Sequence, residues 1–190
     1  MSAWELPEAL EVGGTFYNIR TDYRAILDIL RAYNDPELDS YEQNLILLDI
    51  IYEDCNLIPE EHLNEAAQKA SEFIDAGIKE DKSKPKPRSM DWEQDAPLII
   101  PAVNGVAGAE VRAMKYLHWW TFIGYYMEIK DCLFSQIVSI RCKRAKGKKL
   151  EKYEQEFLKE NKDLITLRQQ YSDEEEQAKK EIMKLLDGGG

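Results

Sequence analysis

The sequence predicts a mainly α-helical protein: a helical domain with a small N-terminal β-hairpin and a long C-terminal helical extension. Three observations support this prediction. Apolar residues recur at intervals of three and four along most of the chain, which is typical of helices with one buried face. A Gly13-Gly14 pair separates two short apolar runs near the N-terminus. Hydrophobic residues make up 44% of the 190 residues, enough to form a core.

We predict that residues 1–78 form the hairpin followed by three helices. The two glycines supply the positive φ angles that a two-residue turn needs. Because two strands alone are marginally stable, the hairpin should pack against the helices. The first helix should begin after Asp22 and end before Pro36, since apolar residues at helical spacing lie between them.

The second and third helices are predicted from their end signals. Ser40 and Gln43 form a capping-box pattern at the start of the second helix. Pro59 is a favourable first residue for the third helix, which should continue to Ala76 and stop at Gly77.

Residues 79–90 predict a charged linker, because they include Pro85 and Pro87 among lysines and acids. The linker separates residues 1–78 from an aromatic-rich helical part at residues 91–149. We expect both parts to belong to one globular unit, because each is small for a stable domain.

The aromatic-rich part predicts three helices and a loop. Residues 91–100 should form a helix that its proline, with another just beyond, shortens or kinks, and residues 105–108 a glycine-containing loop. A helix over residues 110–130 is apolar on nearly every side, which is typical of a central helix or of one that faces a partner. Another helix should cover residues 134–144.

Residues 150–190 predict the C-terminal helical extension and a glycine tail. Apolar residues from Leu150 to Tyr171 follow three-four spacing, which predicts one long helix with a narrow apolar seam. Ser172 and Glu175 suggest a further capping box, which would begin a short acidic helix.

Charge and composition exclude several classes of function. The net charge of -11 argues against a surface that wraps nucleic acid. The longest apolar stretch, residues 117–129, is too short to span a bilayer, and the N-terminus lacks a secretion signal. Three cysteines without a CxxC pair indicate reduced thiols. We therefore expect a soluble protein of the cytoplasm that does not bind a membrane.

No pattern predicts catalysis, a cofactor or a metal site. His62 with Glu61 and Glu65 could ligate a metal, but this spacing is common on solvated helix faces. His118 is expected to be a core or interface histidine, since no nucleophile pattern accompanies it. The acids of residues 91–95 are typical of a helix start. We expect a protein that is not an enzyme and needs no cofactor.

Two apolar segments are candidate partner-binding sites. Aromatic and methionine side chains make tolerant contacts with varied apolar surfaces, although the same residues also suit a core. The candidates are Trp119, Trp120, Ile123, Tyr126, Met127, Tyr153, Phe157, Leu164 and Leu167.

A basic cluster at residues 141–152 is a second candidate contact. It could bind nucleic acid or an acidic protein, or it could be a basic turn that pairs with the acidic C-terminus of this or another copy. The acidic balance of the chain favours the second interpretation, which makes self-association plausible. The candidate basic contacts are Arg141, Lys143, Arg144, Lys146, Lys148 and Lys149.

Three sequence blocks together resemble the bacteriophage "gene product fifteen" family, from Leu6 to about Lys162. The blocks are Leu6-Pro7 through Glu11-Val12-Gly13-Gly14 to Ile19-Arg20-Thr21-Asp22-Tyr23-Arg24; Met90-Asp91-Trp92-Glu93-Gln94-Asp95-Ala96-Pro97; and Leu117-His118-Trp119-Trp120-Thr121-Phe122 with Phe134-Ser135-Gln136-Ile137 and the basic run to Leu150.

The resemblance implies a protein of siphophages and prophages, encoded in the tail module near the tape-measure gene. It implies a tail-assembly chaperone that coats the tape-measure protein, keeps it soluble and helps to recruit the tail-tube protein. Such a chaperone would act in the host bacterial cytoplasm and be absent from the mature virion. The family supplies no catalytic residues to transfer.

Two other functions remain open on the sequence. The chain could be a structural tail or head-tail junction protein that is retained in the virion. It could also be a nucleic-acid-binding regulator that uses residues 141–152, although the net charge makes this the weaker alternative.

Overall fold

The computed structural model describes residues 4–77 and 87–168. It confirms a mainly α-helical fold with an N-terminal hairpin. Strands β1 (Ala9–Val12) and β2 (Thr15–Asn18) are antiparallel, with Val12 opposite Thr15. Gly13 and Gly14 form the predicted turn, with φ angles of 56° and 78°. β1 packs on α3, so the hairpin rests on the helices as expected.

The first two helices are α1 (Tyr23–Tyr33) and α2 (Ser40–Ile51). The Asp22 side chain caps α1 by accepting a hydrogen bond from the Arg24 backbone N–H. The capping box of α2 is formed by Asp39 and Glu42, so the predicted pair Ser40 and Gln43 was wrong by one residue. An aspartate caps as well as a serine does, and both patterns are present in the sequence.

Helix α3 (Leu63–Ile74) begins four residues later than predicted. Pro59 precedes a separate 3₁₀ turn at Glu60–His62 instead of starting the helix. The helix ends near the predicted stop, where Gly77 has a φ of 72°. Of the predicted linker, residues 79–86 lie outside the described residues, and residues 87–90 have no regular secondary structure.

Helix α4 (Ala96–Ala107) is displaced from the predicted span of residues 91–100. Pro97 lies in its first turn, where the missing N–H leaves no hydrogen bond unmade. The helix continues past Pro101 and through most of the predicted loop, and it ends only at Gly108, which has a φ of 69°. The loop prediction was therefore wrong, because Gly105 is helical and Gly108 alone supplies the cap.

Helix α5 (Trp119–Met127) is less than half as long as the helix predicted over residues 110–130. Residues before it form a short 3₁₀ turn and then an extended segment. The extended segment pairs with the start of α1: the Tyr23 N–H donates to the Leu117 carbonyl at 3.0 Å, and the Trp119 N–H donates to the Thr21 carbonyl at 2.7 Å. These tertiary hydrogen bonds override the local helical pattern.

The C-terminal described residues form α6 (Leu133–Ala145), α7 (Lys152–Glu160) and α8 (Lys162–Ile165). The prediction of one long helix from Leu150 to Tyr171 was wrong, because the helix is interrupted at Asn161, between α7 and α8. After this interruption Ile165 packs against Ile137 and Ile140 of α6. The predicted acidic helix after Ser172 and the glycine tail lie outside the described residues.

Most of the buried apolar residues form one core that the hairpin and α1–α6 share. At its centre Tyr23 of α1 stacks on Phe122 of α5, with ring centroids 4.5 Å apart. A second, smaller cluster joins Ile137 and Ile140 of α6 to Ile165 of α8. The core therefore contains residues from both described ranges.

Candidate partner-binding surface

An apolar depression lies where α5 meets α6, and we name it the α5–α6 corner. It has a volume of about 330 Å³. Met127 and Leu133 stand at this junction with 59% and 45% of their surface exposed. No charged side chain is among the residues that line the depression, which are Tyr126, Met127, Ile129, Phe134, Ser135, Val138 and Ser139.

The walls of the corner are held by aromatic packing and by the start of α6. The Tyr126 ring lies 4.9 Å from the Trp92 ring and 5.9 Å from the Phe134 ring, measured between centroids. Burial, together with the nearby charge of Asp95, raises the pKa of the Tyr126 phenol above its ordinary value. The Cys132 N–H donates to Ser135 Oγ at 2.9 Å, which fixes the first turn of α6. The corner is thus a neutral, ordered surface.

The predicted contacts on α5 lie in different environments. Trp119 is buried and its Nε1–H donates to the Ile74 carbonyl at 2.8 Å, so it is a core residue and not a surface contact. Trp120 is half-buried at the opposite end of the helix from Met127. Ile123 is half-buried against the core. Tyr126 and Met127 are the predicted α5 residues that line the corner.

The predicted contacts in the C-terminal helices are also divided. Tyr153 and Leu164 are exposed, while Phe157 and Leu167 are half-buried. Phe157 packs against the cluster around Ile165, so part of the predicted seam covers the protein's own α6.

Of the predicted basic contacts, Arg141 is buried and forms a bidentate ion pair with Asp95, at 2.6 and 2.9 Å. It also donates to the carbonyls of Leu164 and Ile165, so it joins α4, α6 and α8 and is not available to a partner. Sequence reasoning treated Asp95 as an ordinary helix-start acid. Nothing in the local sequence indicates that a residue 46 positions away pairs with it.

The remaining basic residues divide between a pair and an exposed turn. Lys143 donates to Glu154 at 2.7 Å; this hydrogen bond raises the pKa of Lys143 and lowers that of Glu154. Arg144, Lys146, Lys148 and Lys149 are exposed. They surround Gly147, which has a φ of 62° and ends the turn after α6. The exposed basic candidates are therefore Arg144, in the last turn of α6, and the three lysines that follow it.

Two further polar contacts hold α8 and the residues after it, and sequence reasoning missed both. The Gln94 amide donates to the Thr166 carbonyl and accepts from the Arg168 N–H, each at 2.8 Å. Asp91 is buried beside it. Burial opposes its ionisation, but hydrogen bonds from the Gln94 N–H, Arg88 and the Glu93 N–H outweigh this and lower the pKa of the carboxyl.

The two histidines and the three cysteines considered as catalytic or metal residues lie in different environments. His118 is buried; its Nδ1 accepts from the Trp120 N–H at 3.0 Å, and its Nε2 lies 3.1 Å from the Pro7 carbonyl. It therefore caps α5, as a core histidine. His62 lies 3.6 Å from Glu65, but no group of three potential metal ligands occurs among residues 4–77 and 87–168. The three cysteines are free and half-buried.

No helix in the described part of the chain has both the length and the apolar character needed to cross a membrane.

Comparison with models of known protein families matches residues 4–167 to the family described as Bacteriophage Gp15 protein. The match covers most of the chain and agrees with the extent of the resemblance noted in the sequence. Searches of curated proteins and of solved structures found no match.

Proposed function

The chain belongs to the Bacteriophage Gp15 protein family, and from this premise we propose that it is a tail-assembly chaperone that binds the tape-measure protein. Family membership supports a phage structural or morphogenesis protein, and the chaperone role is the more specific proposal. In this role the protein binds the tape-measure chain in the host cytoplasm, assists assembly of the tail tube and leaves before the virion is complete. It performs no catalysis.

The α5–α6 corner is the observation that carries the proposal. An exposed concave apolar surface without charged lining residues suits the apolar face of a helix. Met127 is flexible and polarizable, so it can adapt to varied apolar side chains along a long helical partner. Such a surface would cover apolar helical segments that otherwise aggregate.

The test is co-expression with the tape-measure protein encoded next to this chain, followed by measurement of soluble bait and of the complex recovered. Met127→Lys places a charge in the corner, at a helix C-terminus where a cation is tolerated. The matched control is Tyr41→Glu, an exposed aromatic residue in the first turn of α2, where an acid is tolerated.

We expect wild type and Tyr41→Glu to solubilise the bait equally. Met127→Lys should recover at least about ten-fold less complex, since the burial of one large apolar side chain contributes about 1.5–3 kcal/mol. Equal recovery with Met127→Lys would exclude the corner as the contact. If wild type leaves the bait insoluble and unbound, the chaperone role is wrong.

The two alternatives make separate predictions. A structural tail or head-tail junction protein should be abundant in purified virions by mass spectrometry, whereas a chaperone should be absent. A nucleic-acid-binding regulator should bind in a salt-dependent manner and lose binding when Lys148 and Lys149 become Glu. The burial of Arg141 and the pairing of Lys143 weaken this alternative, because they leave only part of the basic cluster exposed.

A further inference from the structure

A second apolar concavity lies between the hairpin, α3 and the N-terminal end of α5, and we name it the hairpin groove. Its volume is about 470 Å³, within the range of about 300–1,000 Å³ that is usual for ligand-binding sites. Its apolar lining residues are Pro7, Leu10, Phe16, Phe73 and Trp120; Phe16 is exposed and Trp120 half-buried, while the other three are buried beneath them. The groove and the α5–α6 corner lie at opposite ends of α5, since Trp120 and Met127 are about 10 Å apart along a helix axis.

The walls of the groove are fixed before any ligand binds. The Trp120 Nε1–H donates to the Phe73 carbonyl at 2.9 Å, and the two rings stack with centroids 5.9 Å apart. On the other side, the Gly13 N–H donates to Glu65 of α3 at 3.1 Å and holds the hairpin in place. Phe16 projects from β2 with 68% of its surface exposed. A preformed apolar groove reduces the entropy lost on binding.

The described charged residues that line the hairpin groove are two glutamates and one lysine. Glu11 and Glu72 line it, and among the described residues one cation, Lys69, also lines it and lies 4.0 Å from Glu72, with which it is paired. Residues 4–77, which include the hairpin and α3, contain 17 Asp and Glu but only 4 Lys and Arg. Such an imbalance attracts cationic partners and repels anionic ones.

We propose that the hairpin groove binds a segment of another protein in which a few apolar side chains are flanked by lysine or arginine. The apolar side chains would contact the exposed Phe16 and the half-buried Trp120, and a cation would face Glu11, which is exposed at the edge of the groove. The inference goes beyond the chaperone proposal, because it concerns a different surface and a ligand defined by its charge.

The basic turn of a second copy fits the groove less well. Its exposed residues, 146–149, are lysines and a glycine, so they match the charge of the rim but offer no apolar side chain to the walls. Leu150, which follows, is packed in the cluster around Ile165 of its own chain. A heterologous partner with both features is therefore favoured.

The test uses two synthetic amphipathic peptides with the same leucine pattern, one with lysine and one with glutamate at every polar position. Binding of each labelled peptide to the full-length protein is measured by fluorescence anisotropy at several salt concentrations. Phe16→Ser removes the exposed apolar wall, and Tyr41→Ser is the matched control, because Tyr41 is equally exposed but lies on α2 outside the groove.

We expect the lysine peptide to bind, the glutamate peptide not to bind, and salt to weaken the complex. Phe16→Ser should weaken binding of the lysine peptide at least about ten-fold, while Tyr41→Ser leaves it unchanged. Equal binding of both peptides, or no effect of Phe16→Ser, would overturn the proposal, since attraction by charge alone does not depend on Phe16.

Two further measurements distinguish a second copy of this chain from another protein in the hairpin groove, and the hairpin groove from the α5–α6 corner. If sedimentation without peptide shows a dimer that Phe16→Ser dissociates, a second copy fills the groove and the proposed partner is wrong. Met127→Lys should retain full binding of the lysine peptide. Failure of the groove proposal is therefore distinguishable from failure at the α5–α6 corner.

Discussion

Gly13 connects the turn of the hairpin to α3 through its backbone. Its φ of 56° is in the left-handed region, and its N–H donates to Glu65. A Cβ atom added at Gly13 would lie 2.6 Å from His62 Nε2, which is too close for two unbonded heavy atoms. The adjacent Gly14 has a φ of 78°, but an added Cβ there would meet no atom within 4 Å. An alanine at either position would therefore adopt a left-handed backbone conformation, but only an alanine at Gly13 would collide with His62.

We expect Gly13→Ala to lower the free energy of unfolding more than Gly14→Ala, as measured by urea denaturation. Both variants carry the cost of a left-handed alanine, about 1–2 kcal/mol, but only Gly13→Ala must also displace the His62 ring. His62→Ala provides the control through a double-mutant cycle. If His62→Ala does not recover the excess loss of Gly13→Ala, contact with His62 is not its cause.

At the scale of elements, local signals were sufficient at some of the boundaries where the chain caps itself, but not at the starts of α2 and α3. The glycine turn, the cap at Asp22 and the end of α3 near Gly77 all follow from residues within one turn of the boundary. The sequence failed where distant contacts decide. The segment before α5 is extended because α1 supplies its hydrogen bonds, and the helix after Leu150 breaks so that Ile165 can be buried. Neither partner is visible in a local pattern.

The candidate site was predicted in part for the same reason. The apolar pattern identified Tyr126 and Met127, which do line a surface, but it also selected Trp119, because a core helix and a binding helix share one composition. Charge identified Arg141 as a surface residue, although its partner Asp95 lies on another element. The hairpin groove was missed entirely, because its walls come from three elements distant in sequence.

Helices α7 and α8 cover α6, which predicts a difference between two truncations. Ending the chain after Lys149 removes Ile165 from the cluster with Ile137 and Ile140, and it removes two carbonyls that Arg141 binds. We expect the free energy of unfolding of this variant to fall by at least about 2–5 kcal/mol, the usual cost of deleting a large core side chain.

Ending the chain after Arg168 retains every one of these contacts and is the matched control. The thermal melting temperature of the variant that ends after Lys149 should lie far below that of the variant that ends after Arg168. If both truncations melt alike, the packing of α7 and α8 contributes little. The variant that ends after Arg168 is the one to use for testing whether residues beyond 168 bind a partner, because it retains all of these described contacts of α7 and α8.

At the scale of the whole molecule, the two described ranges complete each other's core. Tyr23 stacks on Phe122, and the Trp119 indole donates to the Ile74 carbonyl. The extended segment before α5 pairs with the start of α1. Each range alone would expose these apolar surfaces and leave buried backbone groups without partners, and both outcomes are unfavourable.

We therefore expect neither residues 1–86 nor residues 87–190 to unfold cooperatively when made alone, as followed by circular dichroism during heating. The control is the full chain with a protease site introduced between residues 78 and 86. After cleavage its two pieces should remain associated and melt as one unit, because the contacts between the ranges are non-covalent and lie in the core. A cooperative transition in either isolated fragment would instead show an independent domain. A folded fragment of residues 87–190 would then contain the whole α5–α6 corner but not the hairpin groove. The groove combines Trp120 with residues of the first range, whereas the lining of the corner lies in the second range alone.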